Sequence, residues 1–155
     1  NTVTLPMDIS NIEQLEEVIV AITEQVTYRL RKENLLATVV NVQLRTKNFV
    51  DFSHQSKLDS ATSSTKEILK NAKDLLKEMY KDGMFIRLVG VRVDGLVEKE
   101  ELQLSLFGNT EENKKQQKLD SVLDGLNEKY GYNFVKRAGK MNVDKKIFDN
   151  FRKKF

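Results

Sequence analysis

The sequence predicts an α+β fold of the order β-α-β-β-α-β, and three observations carry that prediction. Apolar residues recur at three- and four-residue steps over 12–30 and again over 68–79, the period of a helix with one buried face. Over 40–47 and 52–58 the period changes to two, as expected of strands. Turn-forming residues such as Asn48, Asp82 and Gly83 fall at the joins between these segments.

Taken in order, Val3-Thr4-Leu5 is short and β-prone, and Pro6 is expected to close it. Ser10-Asn11-Ile12-Glu13 matches a capping box, in which the serine hydroxyl and the glutamate carboxylate satisfy amides that a helix start leaves unpaired. Ile12, Leu15, Ile19, Ile22, Val26 and Leu30 then form one apolar stripe. From Ala37 onward Val40, Val42 and Leu44 point one way, while Asn41, Gln43, Arg45 and Lys47 point the other. Thr46-Lys47-Asn48 joins this strand to a second, around Phe52 to Leu58, in which Phe52, His54, Ser56 and Leu58 alternate with Ser53, Gln55 and Lys57. Alternation alone leaves the facing of that strand open.

Ser64-Thr65-Lys66-Glu67 is a second capping box, followed by Ile68, Leu69, Ala72, Leu75, Leu76 and Met79 on one face, with Asp82-Gly83 as the stop. Phe85 to Val97 is β-branched and apolar, with Arg87 and Arg92 embedded in it and Gly90 placed where a bulge would let the strand change face. This order is the split βαβ, ferredoxin-like arrangement: a four-stranded antiparallel sheet with two helices on one face and the other face free for function. Residues 1–97 are expected to form that unit. Residues 98–112 hold five acids against Lys99 and read as an acidic tether. Residues 113–140 comprise a short amphipathic helix, with Leu119, Val122, Leu123, Leu126 and Tyr130 as its stripe and Gly131 as its end, and a short basic segment. Residues 141–155 form a basic, aromatic extension.

Composition narrows the function classes. The chain has 155 residues and no Cys, so disulfides, thiolate catalysis and thiolate metal sites are excluded, and a single His leaves little for zinc. No run of about 18 apolar residues is present and the first ten residues lack signal-peptide character, so a soluble, cytoplasmic chain without a membrane partner is expected. The start at Asn1, inside a strand-like segment, reads as a piece of something longer. Catalysis needs a nucleophile with a base, a metal cluster or a phosphate loop, and none is legible. The adjacent pairs Glu16-Glu17 and Glu100-Glu101 cannot flank a substrate from one helix face, His54 has no orienting acid at a suggestive spacing, and the glycines of 90–95 lack the dinucleotide-binding spacing.

The informative segment is Leu102-Gln103-Leu104-Ser105-Leu106-Phe107-Gly108, large apolar side chains in an acidic tether that offers nothing local to bury them. Such a run suits either an extended peptide entering a pocket of another protein or a fifth strand folded back on the domain.

Gln103-Leu104-Ser105-Leu106-Phe107 resembles the bacterial sliding-clamp-binding pentapeptide, and its place after a βαββαβ unit resembles the C-terminal end of Y-family DNA polymerases. Arg29-Leu30-Arg31, Leu44-Arg45-Thr46-Lys47-Asn48-Phe49 and the run from Arg87 to Leu96 follow the pattern of that family's little-finger domain. Leu119-Asp120-Ser121-Val122-Leu123-Asp124, Glu128-Lys129-Tyr130-Gly131 and Arg137-Ala138 are similar to the tail of its ImpB/MucB/SamB, UmuC-like branch. The resemblance covers residues 1 to about 140 and implies the DNA-binding accessory domain of an error-prone translesion polymerase, a DNA-repair enzyme of the SOS response. In such a parent the palm and fingers domains would precede Asn1 and hold the catalytic carboxylates and their Mg2+, so this segment has no catalytic residue, no cofactor and no polymerase activity of its own.

Primer-template DNA and the sliding clamp are the implied partners, and a cytoplasmic, nucleoid-associated site of action follows. The resemblance assigns DNA contact to Asn41, Gln43, Arg45, Lys47, Ser53, His54, Lys57, Arg87 and Arg92, and clamp contact to Gln103, Leu104, Ser105, Leu106 and Phe107. Phosphate grip, rather than base reading, suits an enzyme that copies damaged templates. The chain departs from the family pattern at His54, where the family often has Arg, and the extension from Met141 has no counterpart there.

Two other readings come from the residues alone: a ferredoxin-like protein-interaction module with no nucleic-acid role, and an RNA binder of the same topology. The second would show aromatics on its central strands, where Asn41, Gln43 and Arg45 stand. Charge is uneven along the chain. Residues 1–97 are neutral, with 13 basic and 13 acidic side chains, whereas 133–155 carry +6. A DNA-binding role for the folded unit therefore rests on Arg45, Lys47, Lys57 and Arg87 lying on or near the open face while most acids lie on the helices. The extension sets Ile147, Phe148, Phe151 and Phe155 on one side among Lys145, Lys146, Arg152, Lys153 and Lys154, a pattern open to a DNA contact, a docking helix or a mobile tail.

Overall fold

The computed structural model describes residues 1–99, 111–131 and 135, with side chains of the last helix described from Lys114 onward. The elements run β1 (Thr2–Ile9), α1 (Ile12–Lys32), β2 (Leu35–Thr46), β3 (Asp51–Thr62), α2 (Thr65–Met79), β4 (Ile86–Asp94), β5 (Val97–Glu98) and α3 (Glu111–Tyr130). The α+β order is the one the sequence predicts. The sheet is antiparallel in the order β1-β4-β2-β3, so each βαβ unit is split by one strand of the other. The second strand of each unit, β2 or β4, is central and the first is at an edge, an exchange relative to the ferredoxin order.

Alternation on β2 and β4 builds the core. Val40, Val42 and Leu44 lie across from Val93, Val91 and Val89, and all but the partly buried Val93 are fully enclosed against Leu15, Ile19 and Ile22 of α1 and Ile68 and Leu76 of α2. Both helices cover this one face, and Glu16 of α1 ties them together through Lys73 at 2.8 Å. Truncating Leu44, fully buried on a central strand, is expected to cost about 2–5 kcal/mol, read as a lower urea midpoint at unchanged slope in Leu44→Ala.

Four local expectations change. β1 continues through Pro6, because β1 is an edge strand and a proline there forfeits no ladder bond; its pairing with β4 shifts register between Thr4 and Ile9. The cap of α1 is Asn11, not Ser10: its Oδ1 accepts from the amides of Glu13 at 2.7 Å and Gln14 at 3.2 Å. Ser64 does stand at the N-cap of α2, but its side chain makes no capping bond there. The bulge of β4 lies at Arg87, which falls between the pairs Arg45–Leu88 and Thr46–Ile86, and not at Gly90. Gly90 is needed for closeness, since a Cβ there would stand 2.6 Å from the Thr2 methyl of the neighbouring strand.

The tether and tail also begin differently. Val97–Glu98 pairs with Leu35 and Leu36, and the Lys99 amide donates to the Asn34 carbonyl at 3.0 Å, so the sheet reaches into the segment read as tether. At its other end α3 starts at Glu111 and stops at Gly131, whose φ of +95° favours glycine. Gln103, Leu104, Ser105, Leu106 and Phe107, and the whole extension from Met141, lie outside the described residues.

Candidate nucleic-acid interface

The sheet face away from α1 and α2 is built by the other half of each alternation. Directly opposed residues of an antiparallel pair share a face. Asn41 opposes Gln55 and Arg92, Gln43 opposes Ser53 and Gly90, Arg45 opposes Asp51 and Leu88, and Val39 opposes Lys57 and Asp94. Asn41, Gln43, Arg45, Ser53, Lys57 and Arg92 are therefore brought together on the open face, with Gln55 among them. Once the register of β3 is fixed, the alternation of Ser53, Gln55 and Lys57 carries Gln55 to the same face. Asn41, Gln43, Ser53, Gly90 and Arg92 line a shallow depression of about 260 Å³.

His54 goes elsewhere. It opposes Val42, so it faces the helices, and its Nδ1 lies 3.8 Å from Glu78 Oε2 of α2. Ser56, on the same side, meets Asn71 of α2 at 3.3 Å. These two pairs settle the facing of β3 that alternation alone left open. Lys47 is displaced as well: it sits in the turn after β2, with its amide bonded to the Phe85 carbonyl at 2.9 Å and its Nζ 4.3 Å from the centre of the Phe85 ring. In the same turn Phe49 takes a left-handed backbone, φ +63°, which is uncommon for a non-glycine residue, and its 66% exposed ring lies 5.0 Å from the Arg87 guanidinium. Two cation–aromatic pairs thus mark one end of the sheet.

The electrostatics differ from the expected separation of acids and bases. Arg45 grips Asp51 through two hydrogen bonds, Nε to Oδ1 at 2.7 Å and Nη2 to Oδ2 at 2.9 Å. These bonds lower the pKa of the Asp51 carboxyl and raise that of the Arg45 guanidinium, each favouring the charged form. Arg92 pairs with Asp94 at 2.9 Å and Arg87 with Asp8 at 3.1 Å. Three of the expected DNA-contacting cations hence already have a carboxylate partner on the sheet itself. Lys57 makes no ion pair among the described residues.

Sequence reasoning missed how α3 is held. Arg31, near the end of α1, bonds Asp124 at 2.6 and 2.8 Å, and Tyr28 donates to Glu128 at 2.8 Å. Asp120, 1% exposed, accepts from the amide of Thr65, the first residue of α2, at 3.2 Å, and so satisfies one of the amides that the helix start leaves unpaired. Asp120, Asp124 and Glu128 are spaced by four, a signal present in the sequence but overshadowed by the apolar stripe beside it.

Known proteins share this architecture. Residues 1–106 match the impB/mucB/samB family C-terminal domain. DNA polymerase IV of Clostridium acetobutylicum is 34% identical over 146 residues, 94% of this chain and 36% of that protein, and DNA polymerase IV of Acetivibrio thermocellus is 33% identical over 139 residues, 89% and 35% respectively. The chain therefore spans about a third of the length of these relatives. Among solved structures, the complex of the beta-clamp processivity factor and the little finger domain of PolIV matches at a TM-score of 0.50 and 22% identity, covering 60% of this chain and 83% of that one. The insertion ternary complex of Dbh DNA polymerase matches at 0.51 and 20%, covering 63% and 28%. At these identities the structures, the little finger domain of PolIV among them, show a shared fold, and the match over residues 1–106 places the chain in the impB/mucB/samB family as its C-terminal domain.

Proposed function

We propose that this chain is the DNA-holding domain of a translesion polymerase, laying its open sheet face along primer-template DNA and linking the enzyme to the sliding clamp through residues 103–107. One observation carries the DNA part: a sheet face that neither α1 nor α2 covers, presenting Asn41, Gln43, Arg45, Gln55, Lys57 and Arg92 in register. Amides and cations without a base-reading helix suit phosphate contact, which carries no sequence information. The clamp part is supported by the pentapeptide Gln103 to Phe107 and by a structure of the same fold described as a clamp complex. Polymerisation, its Mg2+ and the palm and fingers would belong to other parts of a longer protein. Among the described residues no group of three or more acids or histidines could hold a metal ion.

The Arg45–Asp51 pair supplies a direct test. An arginine already gripped by a carboxylate gives phosphate only part of its charge, and releasing it restores the rest. Asp51→Asn is expected to tighten binding to duplex primer-template and to steepen the plot of log K against log salt by up to about 0.9. Fluorescence anisotropy from 50 to 200 mM salt reads both. Unchanged affinity and slope would mean that DNA does not lie over Arg45.

A further inference from the structure

The turn between β2 and β3 carries a side chain that neither the turn nor the core requires. The Phe49 amide donates to the Thr46 carbonyl and the Thr46 amide to the Val50 carbonyl, both at 3.0 Å, which closes the turn with Phe49 in a left-handed conformation. Glycine fills such a position without strain, whereas a Cβ there crowds its own backbone. The ring gains little burial in return: Phe49 is 66% exposed, and Val50 beside it 50%. Backbone strain kept for an exposed aromatic side chain points to a task outside the fold.

The surroundings are cationic. The Arg87 guanidinium lies 5.0 Å from the centre of the Phe49 ring, and Lys47 Nζ lies 4.3 Å from that of Phe85, itself 41% exposed. Arg87 shares its charge with Asp8, while Lys47 makes no ion pair among the described residues. Flat rings beside cations match a nucleic-acid strand whose bases stack on the rings while its phosphates meet the cations. An apolar peptide would gain nothing from the cations. Inside a duplex the base faces are stacked on one another, so only an unpaired stretch offers them. The turn also follows directly on the Arg45–Asp51 pair of the open face, so a strand leaving that face at this end meets Phe49 next.

We propose that Phe49, with Arg87 and Lys47 beside it, is a stacking site for an unpaired base of single-stranded DNA at the end of the sheet. This deepens the DNA reading and rests on it: phosphate contact holds duplex along the open face, and stacking holds the unpaired strand at its edge. Such a site tolerates any sequence, because every base has a flat face.

The chain has no tryptophan, so a single one reports cleanly. In the full chain, the fluorescence of Phe49→Trp should be quenched by an oligothymidylate of about a dozen nucleotides, and that of Val122→Trp, exposed on α3, should not. By anisotropy of labelled DNA, Phe49→Ala should weaken binding to that oligonucleotide about ten- to a hundredfold and weaken binding to a blunt duplex far less. Phe49→Gly should lose single-strand affinity to the same extent, while its thermal midpoint stays within a few degrees of the unaltered chain or rises, because glycine relieves the backbone. Unchanged single-strand affinity, equal weakening for single strand and blunt duplex, or a midpoint lowered by about ten degrees in Phe49→Gly would overturn the proposal, the last by giving the ring to the fold. If the unaltered chain bound neither single strand nor duplex, the DNA reading itself would fall and this site with it.

Discussion

Replacing Leu106 and Phe107 together with alanine is expected to abolish binding to a purified bacterial sliding clamp. Binding by the unaltered chain should be low-micromolar, roughly −7 to −8 kcal/mol. On the proposed reading each of the two side chains would enter an apolar pocket of the partner, where burial is worth about 1.5–3 kcal/mol. Losing both removes about 3–6 kcal/mol, a weakening of about two to four orders of magnitude, and carries the complex out of the range a titration detects. Gln103→Ala should weaken binding less, because a polar residue that sets register is replaced more cheaply by water than two apolar anchors are. The sequence on both sides gives the peptide fixed neighbours: β5 is paired to β2 up to Glu98 on one side, and α3, held by Arg31, starts at Glu111 on the other. Isothermal titration with the double variant decides the matter. An unchanged dissociation constant would show that Leu106 and Phe107 serve some end other than clamp contact.

The elements that were legible in the sequence are those whose burial is decided by one uniform surface. Val40, Val42 and Leu44 alternate because β2 lies between a helical layer and solvent, and Ile68, Ala72, Leu75, Leu76 and Met79 repeat because α2 has a single flat neighbour. What failed depended on neighbours distant in sequence. Pro6 reads as a stop unless β1 is known to be an edge. Gly90 reads as a bulge unless Thr2 is known to press on it. His54 needed the register against Val42 before its face was fixed, and the start of α2, where Ser64 makes no capping bond, takes an acceptor for the Thr65 amide from Asp120 of α3.

The site was legible by the same division. Ser53, Lys57 and Arg92 needed the register against β2 to be placed beside Asn41, Gln43 and Arg45, whose own facing follows from period two. Their pairing does not follow from it. Asp51 reaches Arg45 across a strand pair, and Asp8 reaches Arg87 from the far end of β1, contacts that a count of charges by segment cannot contain.

Those pairs set what the strongest DNA-binding variant should do. Arg45, Lys47 and Arg87 lie toward one end of the sheet, around the β2–β3 turn and the bulge, and exchanging all three for alanine removes three candidate phosphate contacts. At about 0.9 for Lys47 and a part of that for each of the two carboxylate-paired arginines, the salt slope should fall by between about 0.9 and 2.7, and at 0.1 M salt the counterion contribution alone predicts a loss of about one to three orders of magnitude. The loss should be alike for all sequences, since phosphates position and do not specify. The three alanines also strip partners from Asp8 and Asp51, leaving two carboxylates facing the DNA, so the measured loss should exceed the counterion figure. Adding Asp8→Asn and Asp51→Asn to the triple variant should recover that excess while leaving the reduced slope in place. A loss confined to one sequence would mean that this end of the sheet reads bases. A loss with no change in slope would place the three cations in a structural role, and thermal unfolding of the triple variant would then show it.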